Sequence, residues 1–229
     1  MEPSIPMPER ISRLLAHLRS PQEIARWEAV TRLAAIGPQA VPGLLALLNG
    51  ADGSVRGYAA VALGRIGDVR ALPALMDNLA TGDALTRRLT ARALGRLGHA
   101  DGVQPLIAAL RDPQPGVRYD AAEALGWLGD ARAVKALTRC LGDPHPEVPP
   151  GAALALGRIG AAPAVGPLLE ALQTTDSSLL RAVRFALRRM RDPAAIPYLH
   201  PYLNHPHPKI RITARDLTAR LRRDSQRRW

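Results

Sequence analysis

His200, His205 and His207 stand close together near the C-terminal end of this 229-residue chain, the kind of cluster a zinc ion uses. The neighbouring sequence supplies no cysteine or carboxylate to complete such a site. His207 takes the place of His145 and Gln114 in a recurring Pro-x-Pro turn, and His205 the place of Asp143 and Asp112, so both read as linker residues. Asp120 and Glu123 are three apart and share a helix face; the spacing suits an acid–base pair and equally a solvated face, and we read the latter. Cys140, the single cysteine, falls between core positions Leu137 and Leu141 with only Arg139 as a cationic neighbour, which gives no reason for an activated thiol. The chain contains no Gly-x4-Gly-Lys-Ser/Thr loop and no Cys-x-x-Cys, His-Glu-x-x-His or Gly-x-Ser-x-Gly motif. No catalytic residue, metal or cofactor is expected.

The cations are more informative. The formal net charge is +11, and residues 181–229 hold 13 Lys or Arg against Asp192, Asp216 and Asp224, a net of +10 that leaves +1 for the rest. Arg181, Arg184, Arg188, Arg189, Lys209, Arg211, Arg215 and Arg220 form the candidate basic patch. Such a patch attracts nucleic acid phosphates, an acidic protein or an anionic membrane surface, and it also suits a solvated cap helix with an Arg-rich tail. The most apolar stretch is taken to be 151–172; Arg158, Pro163, Pro167 and Glu170 interrupt it, so no membrane insertion is expected. One cysteine excludes a disulfide scaffold and points to a reducing, cytoplasmic setting. Residues 1–7, with Glu2, Pro3 and Pro6, read as a disordered start and not as a signal peptide.

What would position these residues is a repeat. Gly64, Gly95, Gly126 and Gly157 are 31 apart, as are Gly67, Gly98, Gly129 and Gly160. A second series keeps the step: Ala40-Val41, Ala71-Leu72, Gly102-Val103, Ala133-Val134, Ala164-Val165 and Ala195-Ile196. Apolar residues recur at three and four, so each period holds two helices. Val55, Ala59, Ala62, Leu63 and Ile66 are the expected core of one, and Leu72, Leu75, Met76 and Leu79 of the next. The outer glycines suit left-handed C-caps. The inner ones each cost roughly 1 kcal/mol inside a helix, which predicts close approach of a neighbouring backbone. One residue past them run Arg65, Arg96, Trp127 and Arg158, continued by Arg189 and Arg220: a candidate edge row with Trp127 between two guanidiniums, or a set of cations each complementing a helix C-terminus.

The segment Val117-Arg-Tyr-Asp-Ala-Ala-Glu-Ala-Leu-Gly-Trp-Leu-Gly-Asp130, followed by Ala133-Val134, resembles the HEAT-like repeat first described in phycobilin lyase subunits, and the likeness runs over about 9–222. The resemblance implies an all-α, right-handed α-solenoid of about six HEAT-like pairs. We expect an entry helix at 9–19, repeats near 22–54, 55–84, 85–116, 117–147, 148–178 and 179–209, a cap helix at 209–223 and a basic tail at 224–229. It also implies an Arg–Asp stacking ladder between neighbours, from Arg56, Arg87, Arg118 and Arg211 to Asp68, Asp130 and Asp192. The family includes chromophore lyases, a deoxyhypusine-hydroxylase-like di-iron branch and plain scaffolds. The di-iron branch needs His-Glu pairs where this chain has Gly57-Tyr58, Arg88-Leu89, Tyr119-Asp120, Pro150-Gly151 and Arg181-Ala182.

The last repeat departs from the rest: Arg188 and Arg191 replace its glycines, and Pro201 should end its second helix near His200. The second helices of such solenoids line a groove, here small-sided at Gly43, Ala74, Ala108, Ala109, Ala136 and Ala171 and aromatic at Tyr198 and Tyr202. The expected role is a non-enzymatic scaffold binding another protein, as an extended peptide or helix. The alternatives are nucleic acid or acidic-protein binding at the basic end, or a bilin lyase subunit.

Overall fold

The structure is a computed structural model describing residues 6–226; residues 1–5 of the expected disordered start and 227–229 of the basic tail lie outside the described residues. The described residues form helices and no strands. In order these are α1 (Met7–His17), α2 (Glu23–Ile36), α3 (Val41–Leu48), α4 (Gly53–Ile66), α5 (Leu72–Thr81), α6 (Ala84–Leu97), α7 (Val103–Ala109) and α8 (Pro115–Leu128). Then follow α9 (Val134–Cys140), α10 (Val148–Ile159), α11 (Val165–Glu170), α12 (Ser177–Arg189), α13 (Ile196–Leu199) and α14 (Pro208–Gln226). α1 starts at Met7 and α14 runs into the segment read as tail. The chain divides into two compact units, Met1–Ala124 and Leu125–Trp229. In the first, α4 packs on α2, α3 and α6, and α5 on α6; in the second, α10 packs on α9 and α12, and α14 on α11 and α13.

Local chemistry sets the ends of these helices. Asp52, Asp83 and Asp176 cap α4, α6 and α12 by accepting from first-turn N–H groups. Gly67, Gly98 and Gly160 close their helices in the left-handed conformation, at φ 70–77°. The inner glycines do what their cost implied: a Cβ on Gly64 would stand 2.6 Å from Ala93 Cα, one on Gly126 2.8 Å from Ala155 Cα, and one on Gly157 2.5 Å from Ala186 Cα. Any side chain there would push α4 from α6, or α10 from its neighbours.

Leucines fill the core. Leu33, Leu44, Leu63, Leu75 and Leu106 are fully buried in the first unit, and Leu125, Leu137, Leu156 and Leu168 in the second. Each such burial is worth about 1.5–3 kcal/mol against exposure. Of the expected core set, Ile66 and Met76 are only half-buried.

A 3-10 turn precedes each second helix, such as Val69–Ala71 before α5 and Ala131–Ala133 before α9. Three expectations need correction. The Arg–Asp ladder is not formed as expected. Asp68 and Asp130 bind Arg70 and Arg132 two residues on and cap the 3-10 turn, as Asp192 does through Ala194 N–H. Arg56 and Arg87 reach instead to Asp83 and Asp112. Side chains of a helix's first turn lean toward its N-terminus, so these arginines meet the preceding linker: the same guanidiniums bind Gly50 O and Gly82 O, as Arg26 binds Ser20 O, Arg118 binds Asp112 O and Arg211 binds His205 O.

The other two corrections concern burial. Asp120 is not on a solvated face: it is 2% exposed and accepts from Arg88 Nε at 3.0 Å. Its repeat neighbour α6 covers it, which the spacing to Glu123 could not show. The run long and apolar enough to cross a membrane, by length and composition, is Glu23–Leu48 and not 151–172. It is two helices, broken at Gly37 (φ 77°) and Pro38, with Leu33, Leu44 and Leu48 buried in the first unit.

Candidate functional site

The basic end is built by α12 and α14. α12 opens at Asp176, buries Leu179, Ala182, Val183, Ala186 and Leu187, and exposes Arg181, Arg184, Phe185, Arg188 and Arg189. α14 buries Ile210, Ala214, Leu217, Thr218 and Leu221 by the same three-and-four spacing. Between them lies an open cleft of about 420 Å3, lined by Arg184, Leu187, Arg188, Thr213, Asp216, Leu217, Arg220 and Arg223.

The expected patch therefore separates into parts. Arg184, Arg188 and Arg220 share the cleft, joined by Arg223, which was not among the expected residues. Arg220 also supports the fold, because its Nη2 donates to Leu187 O and Met190 O at 2.7 and 3.0 Å, the carbonyls that end α12. Burial, with Arg191 and Arg188 nearby and only Asp224 opposing, lowers its pKa from the usual arginine value. Arg211 and Arg215 are held by carbonyls of the 203–206 turn, Arg189 lies 5.8 Å from the Phe185 ring centre, and Arg181 reaches Ser178. Lys209 is exposed at the start of α14, outside the cleft lining.

The edge row gains an aromatic residue that its spacing did not include. In the first unit Arg65 lies over the ring of Trp27 at 5.6 Å and donates to Thr31 Oγ1. Trp27 meets Tyr58 edge-on at 5.2 Å, and Glu23 accepts from both. Burial, then the charges of Arg96 and Arg92, lowers the Arg65 pKa, and the three arginines border a niche of about 40 Å3 with Trp27. Trp27 follows Arg26, away from the row's position in the repeat, so the row's spacing gave no signal for it. In the second unit Trp127 is 37% exposed, and the Arg158 stem lies where a Cβ on Gly126 would stand 3.4 Å from it.

The groove-facing residues divide too. Ala108 and Ala109 line an open groove of about 440 Å3 between α5 and α7, with Met76, Leu79, Ala80 and Pro105, bordered by Arg87 and Asp112. The Arg87–Asp112 pair is bidentate at 2.6 and 2.8 Å. Gly43 is covered by Leu15 of α1. Tyr198 is exposed, but the Tyr202 hydroxyl sits where a Cβ on Gly166 would meet it at 2.8 Å, and its ring stacks on His205 at 6.0 Å. His205 Nδ1 accepts from His207 N–H just as Asp112 accepts from Gln114 and Asp143 from His145, so it is a turn residue. Among the described residues no three His, Cys, Asp or Glu stand together as a metal site would need.

Comparison with known proteins gives the same repeat. The model of HEAT repeats matches residues 11–95, 79–148 and 130–188, most of the chain. The chain belongs to the HEAT-repeat family. The model of the PBS lyase HEAT-like repeat matches residues 179–205 of this HEAT-repeat protein. None of the curated proteins compared matches it. Among solved structures, the complex of CpcE and CpcF of phycocyanin lyase from Nostoc sp. PCC7120 is 22% identical, with a TM-score of 0.57 over 96% of this chain and 97% of that one. An archaeal HEAT-like repeats protein from Thermococcus onnurineus NA1 is 17% identical, with a TM-score of 0.57 over 93% and 97%. Kap95p, in a complex with RanGDP, is 16% identical, with a TM-score of 0.64 over 94% of this chain and 41% of that one. At these identities the likeness is one of fold, the α-solenoid.

Proposed function

We propose that this HEAT-repeat protein is a non-enzymatic scaffold that holds a partner protein's extended segment in the groove between α5 and α7. The observation that carries the reading is the groove itself: an apolar floor of Met76, Leu79, Ala108 and Ala109, with the Arg87–Asp112 pair at its border. A strand-like or helical segment could lay apolar side chains on the floor, which suits a chain better than an enclosed small molecule. The absence of nucleophile, nucleotide and metal motifs in the sequence supports a role without chemistry.

Selection of displayed random peptides on the immobilised full-length protein tests this. Peptides with spaced apolar residues should be enriched, and Ala108→Glu with Ala109→Arg should abolish their binding while leaving the urea midpoint unchanged. No enrichment, or binding that survives both substitutions, overturns the reading. Covalent attachment of a bilin to apo-phycocyanin promoted by this chain would overturn the non-enzymatic part.

A further inference from the structure

The geometry points to the cleft between α12 and α14 as a site that grips the phosphate backbone of a nucleic acid duplex. The inference is independent of the scaffold reading, since it uses other helices.

Four guanidiniums, from Arg184, Arg188, Arg220 and Arg223, line one cleft with a single carboxylate, Asp216. Of the other acids in 181–229, Asp192 caps a 3-10 turn through Ala194 N–H and Asp224 lies 3.9 Å from Arg191. Elsewhere in the chain, Arg56, Arg70, Arg87, Arg88 and Arg132 each meet an aspartate. In the last repeat cations outnumber anions, and the sequence concentrates +10 of the +11 there. Arg220 is not free to swing away, because Leu187 O and Met190 O hold it. A fixed guanidinium flanked by like charges is a ready anion receptor.

The cleft's other lining decides which anion. Leu187 and Leu217 are each 4% exposed, so the walls offer no apolar pocket for the anchors that protein interfaces need. Polar, positively charged walls fit nucleic acid instead. Among the described residues no aromatic ring lines the cleft on which an unpaired base could stack, which favours a duplex over a single strand. Recognition through phosphates alone carries no sequence preference.

The test is fluorescence anisotropy of the full-length protein with a labelled 20-base-pair DNA duplex of arbitrary sequence. Three to four phosphate contacts predict a log–log salt slope of about −3, so that affinity falls roughly 50- to 150-fold between 50 and 200 mM salt. Arg184→Glu with Arg188→Glu, both exposed, should weaken binding roughly tenfold or more and flatten the slope by about two. Asp216→Asn should tighten binding roughly twofold to fivefold by removing the one repelling charge, a gain that a misfolded variant could not produce. Arg10→Glu with Arg19→Glu, which changes net charge equally on and just after α1, should cost much less. The inference is overturned by any of four results: no duplex binding at 50 mM salt, an equal loss in the α1 control, a single strand bound more tightly than the duplex, or poly-glutamate bound as tightly as DNA. The last would assign the cleft to an acidic protein.

Discussion

The pair α4 and α6 in the first unit and the pair α12 and α14 in the second show two ways of using the same repeat. In the first, Gly64 lets the helices touch backbone to backbone at Ala93, and arginines at helix starts are tied to linker carbonyls and to Asp83 or Asp112. In the second, Arg188 stands exposed at the inner-glycine position, Leu180 replaces the linker arginine, and a cleft lined by cations separates the surfaces of the two helices. Close packing of α4 on α6 leaves no open cleft between those two helices, and relaxing it at the chain's end leaves a charged cleft available.

The largest effect that would test this contrast is steric. Gly157→Leu should destabilise the fold by about 3 kcal/mol, because the Ala186 backbone already occupies the space, whereas Arg188→Leu at the matching position should change it by no more than about 0.5 kcal/mol. Urea midpoints of the two variants check this; equal losses would remove the distinction between the repeats.

Next in size is the linker tie. Asp112→Ala removes a bidentate pair whose side chains are only 9% and 17% exposed, together with the Gln114 N–H bond, and should cost about 2 kcal/mol. Asp68→Ala removes a pair whose arginine is 57% exposed, and should shift the midpoint less. The reverse order would make the local turn cap a stronger tie than the pair between repeats.

The smallest effects are in pH dependence. Burial works against ionisation of Asp112, but hydrogen bonds from Arg87 and Gln114 and the charges of Arg87 and Arg118 outweigh it and hold its pKa below the usual 3.8. Its contribution is therefore present above that value and lost as the pH falls through its folded pKa. Asp120 behaves oppositely: burial raises its pKa, with the Arg88 bond only partly offsetting this. It costs stability once the pH exceeds its raised value, and the cost disappears below 3.8. Measured by urea midpoint from pH 3 to 7, Asp112→Asn should lose ground to the native chain as pH rises through the acid range, and Asp120→Asn should gain it.

Much of the fold was legible because its signals are local. The 31-residue step, the left-handed glycines, the helix break at Pro201 and the turn role of His205 all follow from backbone rules acting within a few residues. The glycines at the inner position were legible for a different reason: a repeated penalty has to have a packing cause. The site was less legible. The basic patch was found by charge counting, yet Arg211 and Arg215 turn out to hold a turn, Arg223 joins the cleft, and Arg65 finds an aromatic partner, Trp27, that the row did not include. Counting identifies which residues are charged but not which of them face one another.

The sequence by itself determined the helix pairs, their period and the charge at the C-terminal end, since apolar spacing, capping and net charge are properties of residue order. Tertiary structure alone decided that Asp120 is buried, that Arg87 meets Asp112, and that four arginines from two helices line one open cleft with a single aspartate. Those outcomes depend on how far each helix is rotated about its axis and how near its neighbour lies, which no spacing along the chain specifies.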